Sequence, residues 1–165
     1  MKKPGIIYAF IDSQNVNLSI RELGWELDFR KFRRYLTDKY RVSKAFLFLG
    51  FLPQYQKMYD FLTDIGFILV FKDVVEYNAN RERIIKGNCD AELVLQSMIE
   101  IDHYDACLVS TNDGDFACLV KYLYEQNKLR VVLAPSREKC SALLKKAARE
   151  KIQFMNDLRR KLERI

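Results

Sequence analysis

Short apolar runs alternating with stretches of helical spacing constrain this chain more than any other feature. The runs fall at residues 5–11 (GIIYAFI), 43–51 (SKAFLFLGF), 67–71 (FILVF), 104–110 and 129–134. Each is short and rich in β-branched and aromatic residues, which predicts strands; near-continuous apolarity predicts strands buried on both faces. Helices are expected between them, at about 15–23, from Asp28 as an N-cap to 39, at 54–64 with Gly66 as the C-cap glycine, at 90–101 and at 115–126. In the fourth of these, apolar residues at 91, 94, 95, 98 and 101 predict the buried face. Residues 72–88 are less regular and are expected to hold a short strand near Val74 and Val75, then a loop. Two more helices are expected at about 138–148 and 152–162.

Strands alternating with helices predict right-handed βαβ units and a parallel sheet covered on both faces. No repeat, low-complexity tract or linker interrupts the pattern, so residues 1–165 read as one domain with the helices of about 138–163 packed on it. The C-terminal segment Lys145 to Arg164 carries many Lys and Arg residues beside Ile152, Phe154, Met155, Leu158 and Leu162. That amphipathic pattern suits packing on the domain or on a second subunit, in a homodimer, ahead of lying along RNA.

Several chemistries lack their residues. Cys89, Cys107, Cys118 and Cys140 are dispersed, without a C-x-x-C, and His103 is the single histidine, so a zinc cluster has no ligand spacing. The cysteines read as small buried hydrophobes, reduced in a cytosol. One histidine cannot be both acid and base in metal-free RNA cleavage. There is no G-x-S-x-G, and no glycine fingerprint after the first strand. No run approaches the roughly 20 apolar residues of a membrane span. With no leader pattern either, the expectation is a cytoplasmic protein without a membrane partner. The net charge of +6 and pI of about 9.1 favour a nucleic-acid partner over the alternative of a merely solubilising surface.

Open parallel sheets bind ligands beyond the carboxyl ends of their strands, where strand order reverses. Asp12-Ser13-Gln14-Asn15 follows the first strand, and Ser110-Thr111-Asn112-Asp113-Gly114-Asp115 follows the fourth. If these strands are neighbours, Asp12, Asp113 and Asp115 converge on one crevice, and Asp90, at a helix start, completes the group. Crowded carboxylates repel one another unless protonated or bound to a cation, and hard oxygen ligands suit Mg²⁺ or Mn²⁺. Gly114 lets the backbone turn tightly there. Such a cation orients a water and neutralises charge on a phosphodiester. The structural alternatives are a helix cap for Asp12, a turn for Asp113-Gly114 and a macrodipole partner for Asp90.

Three segments resemble the motifs of NYN domains, a branch of the PIN-like nucleases. Ile11-Asp12-x-x-Asn15 is similar to the opening motif. Lys86-Gly87-Asn88-Cys89-Asp90-Ala91-Glu92-Leu93 is similar to K-G-x-x-D-x-x-L, and Val109-Ser110-Thr111-Asn112-Asp113-Gly114-Asp115-Phe116 with Leu119-Val120 to S-G-D-G-D-F-x-x-L-V. They occur in the family's order across about residues 6–135. The resemblance implies an α/β PIN-like, Rossmannoid three-layer sandwich whose parallel sheet of about five strands has the order 3-2-1-4-5. It implies Asp12, Asp90, Asp113 and Asp115 as metal-binding and catalytic carboxylates, with Asn15 helping to hold the site by a hydrogen bond to a carboxylate or a phosphate; Asn15, Ser110, Asn112 and Lys86 are the candidates for substrate binding. It further implies a Mg²⁺- or Mn²⁺-dependent ribonuclease leaving a 5′-phosphate and a 3′-hydroxyl. Lys72, Arg81 and Arg83 are further candidates for phosphate contacts, and Tyr77 for stacking on a base.

Two departures matter. Many relatives carry another aspartate where this chain has Gln96, and Thr111-Asn112 replaces Ser-Gly. Gln96 supplies no charge, which leaves a catalytically weakened RNA-binding module as the alternative.

Overall fold

The computed structural model describes residues 5–79, 82–86 and 88–165, with the backbone alone described for 75–79 and 82–86. Among the described residues the strands are β1 (Ile7–Asp12), β2 (Val42–Phe51), β3 (Phe67–Asp73), β4 (Val75–Ala79), β5 (Glu82–Lys86), β6 (Ala106–Ser110), β7 (Leu129–Ala134) and β8 (Ile152–Phe154). Seven helices are α1 (Ser13–Glu22), α2 (Phe29–Tyr40), α3 (Gln56–Asp64), α4 (Asp90–Ile99), α5 (Ala117–Glu125), α6 (Ala142–Ala148) and α7 (Arg159–Leu162).

Six strands form one parallel sheet in the order β3-β2-β1-β6-β7-β8. Counting only these strands, the order is the expected 3-2-1-4-5 with a sixth added at the edge. The chain moves outward through β2 and β3, then returns to pair β6 with β1, so the reversal lies between β1 and β6. Alternation along β1 divides the core. Ala9 and Ile11 face Val16 and Ile20 of α1 and Phe32 and Leu36 of α2. Tyr8 and Phe10 face Leu93 of α4 with Leu119 and Leu123 of α5. Both faces are covered, which is why the strands read as unbroken apolar runs.

Three expectations are corrected. Residues 152–162 do not form one helix: β8 pairs with Val132–Ala134, a 3₁₀ turn follows at Met155–Leu158, and only α7 is helical. Arg149, at φ 54, redirects the chain just before it, and pairing covers what would be an open β7 edge. Met155, Leu158 and Leu162 are still buried, so the apolar spacing is satisfied without a continuous helix. Second, α4 is rotated from the expected face: Leu93 and Ser97 are buried and the expected Val94 and Ile101 pack partly on the core, whereas the expected Leu95 is 61% exposed and Met98 also faces outward. The small Ser97 permits close approach, and Tyr104 donates its hydroxyl proton to Ser97 O at 2.8 Å. Third, residues 75–79 and 82–86 pair as an antiparallel hairpin, where a short strand and a loop were expected. The side chains of Tyr77, Arg83 and Lys86, and all of Arg81, lie outside the described residues.

Cys107 and Cys140 are buried as expected, but Cys118 is exposed. Among the described residues no helix is long and apolar enough to cross a membrane.

Candidate metal centre

The last pair between β1 and β6 joins Ile11 to Ser110, so Asp12 and Thr111 are the next residues on adjacent strands at the reversal. Helix α1 begins directly at Ser13, and Asp12 is its N-cap, accepting from Asn15 N at 3.5 Å. Capping therefore does not take Asp12 away from the strand ends. Thr111 Oγ1 donates to Asp12 Oδ2 at 3.1 Å and accepts from Asp113 N at 3.1 Å. Asn15 Oδ1 accepts from Asn112 N at 2.8 Å. These bonds tie the strand ends together.

Ser110 and Asn112, expected at the substrate, are interior. Ser110 Oγ donates to Leu133 O at 2.8 Å. Asn112, only 5% exposed, donates from Nδ2 to Ser19 Oγ at 3.0 Å and accepts at Oδ1 from Ser136 N at 3.1 Å. Their side chains are consumed in joining β6 to β7 and α1, because a buried polar group needs its partners. Thr111, not singled out from the sequence, is the residue that orients Asp12; a hydroxyl at the end of a buried strand was the available signal.

Asp113 caps the 3₁₀ turn Gly114–Phe116, with Oδ1 accepting from Asp115 N at 2.9 Å. Gly114 is required by close approach rather than by its φ: a Cβ there would lie 2.9 Å from Ser141 Cβ. Asp90 opens α4, its N–H donating to Asn88 Oδ1 at 2.9 Å. Carboxylate oxygens of Asp90, Asp113 and Asp115 all lie within 4.8 Å of one another. Asp12 stands beside this trio, close enough for its charge to be felt.

The electrostatics reflect that crowding. Burial pushes the Asp12 carboxyl up to about 6; the hydrogen bonds from Thr111 and Asn15 oppose the rise, and the charges of Asp90 and Asp113 add to it. Asp90 is raised as well, first by burial and then by Asp113, with Asn88 opposing, Asp115 adding and Lys72 opposing. Lys72 donates to Asn88 O at 2.6 Å and lies 3.6 Å from Glu92 Oε1. Glu92 Oε2 is buried and has no hydrogen-bond partner among the described residues. Gln96 turns from the trio, donating from Nε2 to Glu100 Oε1 at 3.1 Å. Three hard oxygen donors at this separation, with the Asp90 and neighbouring Asp12 carboxyls raised by burial and repulsion, fit a divalent cation such as Mg²⁺ or Mn²⁺.

Comparison with known proteins follows the same lines. The family model described as "NYN domain" matches residues 7–156. The Low amplitude and bright protein LabA of Synechococcus elongatus is 25% identical over 170 residues, covering 98% of this chain and 90% of that protein. A crystal structure of a protein of unknown function from Vibrio parahaemolyticus superposes with a TM-score of 0.77 at 21% identity, covering 95% of this chain and 98% of the other. At that identity the likeness is one of fold.

Proposed function

Since the chain belongs to the NYN domain family, with its nuclease-like fold, we propose that it is a Mg²⁺- or Mn²⁺-dependent endoribonuclease acting on RNA in the cytoplasm. The observation that carries this reading is the trio of Asp90, Asp113 and Asp115 oxygens within 4.8 Å, at the reversal of a parallel sheet. Asp90, Asp113 and Asp115 hold the cation, and Asp12 completes the anionic set. The bound cation supplies charge neutralisation at the phosphodiester and a water made more acidic at neutral pH. Asp12 keeps one orientation because Thr111 and Asn15 each engage one of its oxygens. Asn15, whose Oδ1 is committed to Asn112, presents its amide Nδ2 toward a phosphate oxygen. Lys72 and Lys86 steer the backbone of the substrate.

The test is cleavage of a labelled mixed-sequence RNA in Mn²⁺, with Asp113→Asn alongside. Wild-type cleavage into 5′-phosphate products is expected, with loss in EDTA and a fall of at least about a hundredfold in the variant. Equal cleavage by Asp113→Asn sinks the assignment. A second reading, a non-catalytic RNA-binding module, is favoured by Gln96, which brings no charge and turns toward Glu100. RNA binding in EDTA without turnover in Mn²⁺ would select it.

A further inference from the structure

A cleft of about 780 Å³ opens one residue away from the carboxylates. One wall is the face of α1 that begins immediately after Asp12: Ser13, Gln14, Asn17 and Arg21 recur at helical spacing. None of these four side chains makes a hydrogen bond or ion pair with any described residue. The opposite wall is α3 and the turn before it, where Tyr55, Met58 and Phe61 are 47%, 47% and 42% exposed. Hydrogen-bonding amides thus face an aromatic surface across a space of ligand size.

Charge selects among occupants. Glu26 pairs with Arg164 at 3.1 Å, and Asp28 is occupied as a helix cap, its Oδ1 accepting from Lys31 N at 3.0 Å; with Arg21, Arg30 and Arg164 against Glu26 and Asp28, the lining keeps a positive surplus. Arg21 has no such partner, and the Arg30 guanidinium lies over the Phe61 ring at 5.3 Å, a planar cation set at the mouth. An apolar peptide would leave the amide wall and both arginines unused. A nucleotide uses all of them: a base stacks on an aromatic or guanidinium face, its edge takes hydrogen bonds, and its phosphate meets a cation.

Resting on the ribonuclease reading for its continuity with the carboxylates, we propose that this cleft binds a nucleotide of single-stranded RNA flanking the scissile phosphate. Asp12, Asp90, Asp113 and Asp115 do not line the cleft, so the reacting phosphate stays outside while the neighbouring base is held. Ser13, Gln14 and Asn17 read the base edge, Phe61 and Arg30 supply the stacking face, and Arg21 meets the phosphate.

The test measures fluorescence polarisation of a short labelled oligoadenylate, intact or with one abasic position walked along it, in EDTA. Wild type, Phe61→Ala, Phe61→Leu and Arg21→Glu are compared, with Leu95→Ser on the far face as control. Phe61→Ala and Phe61→Leu should each weaken binding of the intact strand by roughly tenfold. Phe61→Leu keeps apolar bulk, so a matching loss in both variants is not a folding defect. One abasic position should cost wild type a similar factor and cost Phe61→Ala little more. Overturning results are wild-type affinity in both Phe61 variants, or an abasic walk that leaves wild-type binding unchanged. Cleavage in Mn²⁺ is scored separately. Phe61-dependent binding without cleavage keeps the cleft and ends the nuclease reading, while cleavage with Phe61-independent binding does the reverse.

Discussion

Asp12 carries a partly buried charge that the metal-free fold disfavours. Its carboxyl is raised from 3.8 to about 6, so the folded state binds the proton more tightly than the unfolded chain. The resulting stabilisation is fully present below about 3.8 and is lost as pH rises through about 6. A difference of that size corresponds to about 3 kcal/mol at most. Asp12→Asn should therefore raise metal-free stability at pH 7 by up to about 2–3 kcal/mol, with the gain shrinking toward pH 4. The geometry permits it, because the Thr111 hydroxyl can turn its proton to Asn15 Oδ1, already 3.4 Å away. Mn²⁺ should raise the wild-type melting temperature and raise that of Asp12→Asn by less, since Asp90, Asp113 and Asp115 remain; thermal melts with and without Mn²⁺ and denaturant melts across pH check both. An equal Mn²⁺ effect in the variant removes Asp12 from the metal centre. Thr111→Val strips a donor from Asp12 and an acceptor from Asp113 N, and should cost about 1–3 kcal/mol and weaken Mn²⁺ binding, with Thr111→Ser restoring both. The carboxylates could be found from sequence because strand ends are set by the alternation of elements. Thr111, Ser110 and Asn112 could not be sorted, since whether a strand-end polar side chain turns outward or inward depends on β7 and α1, distant in sequence.

Local pattern predicted most elements, and tertiary demands account for the exceptions. Helix α4 offers apolar residues on two faces, and periodicity favoured one of which Val94 and Ile101 pack partly on the core while Leu95 and Met98 are exposed. The phase adopted buries Leu93 and Ser97 and brings Asp90 to Asp113 and Asp115, an outcome that depends on Tyr104 and the sheet rather than on the helix. Strand β8 likewise exists because β7 has an edge to cover, which no window around residue 152 reveals. The 3₁₀ turn after β6 depends on a single close approach. Gly114→Ala drives a Cβ to 2.9 Å from Ser141 Cβ, and Ser141 is the N-cap of α6. Turn and helix must then separate, at a cost of about 1–3 kcal/mol by the usual penalty for overpacking. Ser141→Gly, which should itself cost only a few tenths of a kcal/mol as a cap replacement, would recover much of that loss in the double variant. A double-mutant cycle in urea reads the coupling; strictly additive effects would mean that Ser141 is not what Gly114 avoids.

Across the whole molecule, the surplus of +6 has to be set against where its cations are committed. Several are consumed internally: Lys128 Nζ donates to Tyr104 O at 2.7 Å, Lys151 Nζ to Leu129 O at 3.1 Å and Arg33 Nε to Gly66 O at 3.1 Å. Others sit in surface ion pairs, as Arg137 with Asp157, Lys139 with Glu22 and Arg159 with Glu163. Net charge alone therefore overstates what the surface offers to phosphates, and the cations that count are those near the strand ends without an acidic partner. Arg21 is one of these, on the cleft wall that starts beside the carboxylates. Each phosphate neutralised on a single strand releases counterion and contributes roughly 0.7 to the slope of log affinity against log salt. Wild-type binding of oligoadenylate in EDTA should weaken steeply between low and physiological salt, and Arg21→Gln should reduce that slope by roughly 0.7. A salt titration of both proteins gives the comparison. Parallel lines, displaced or not, would mean that Arg21 meets no phosphate and that the strand leaves the metal centre by another route.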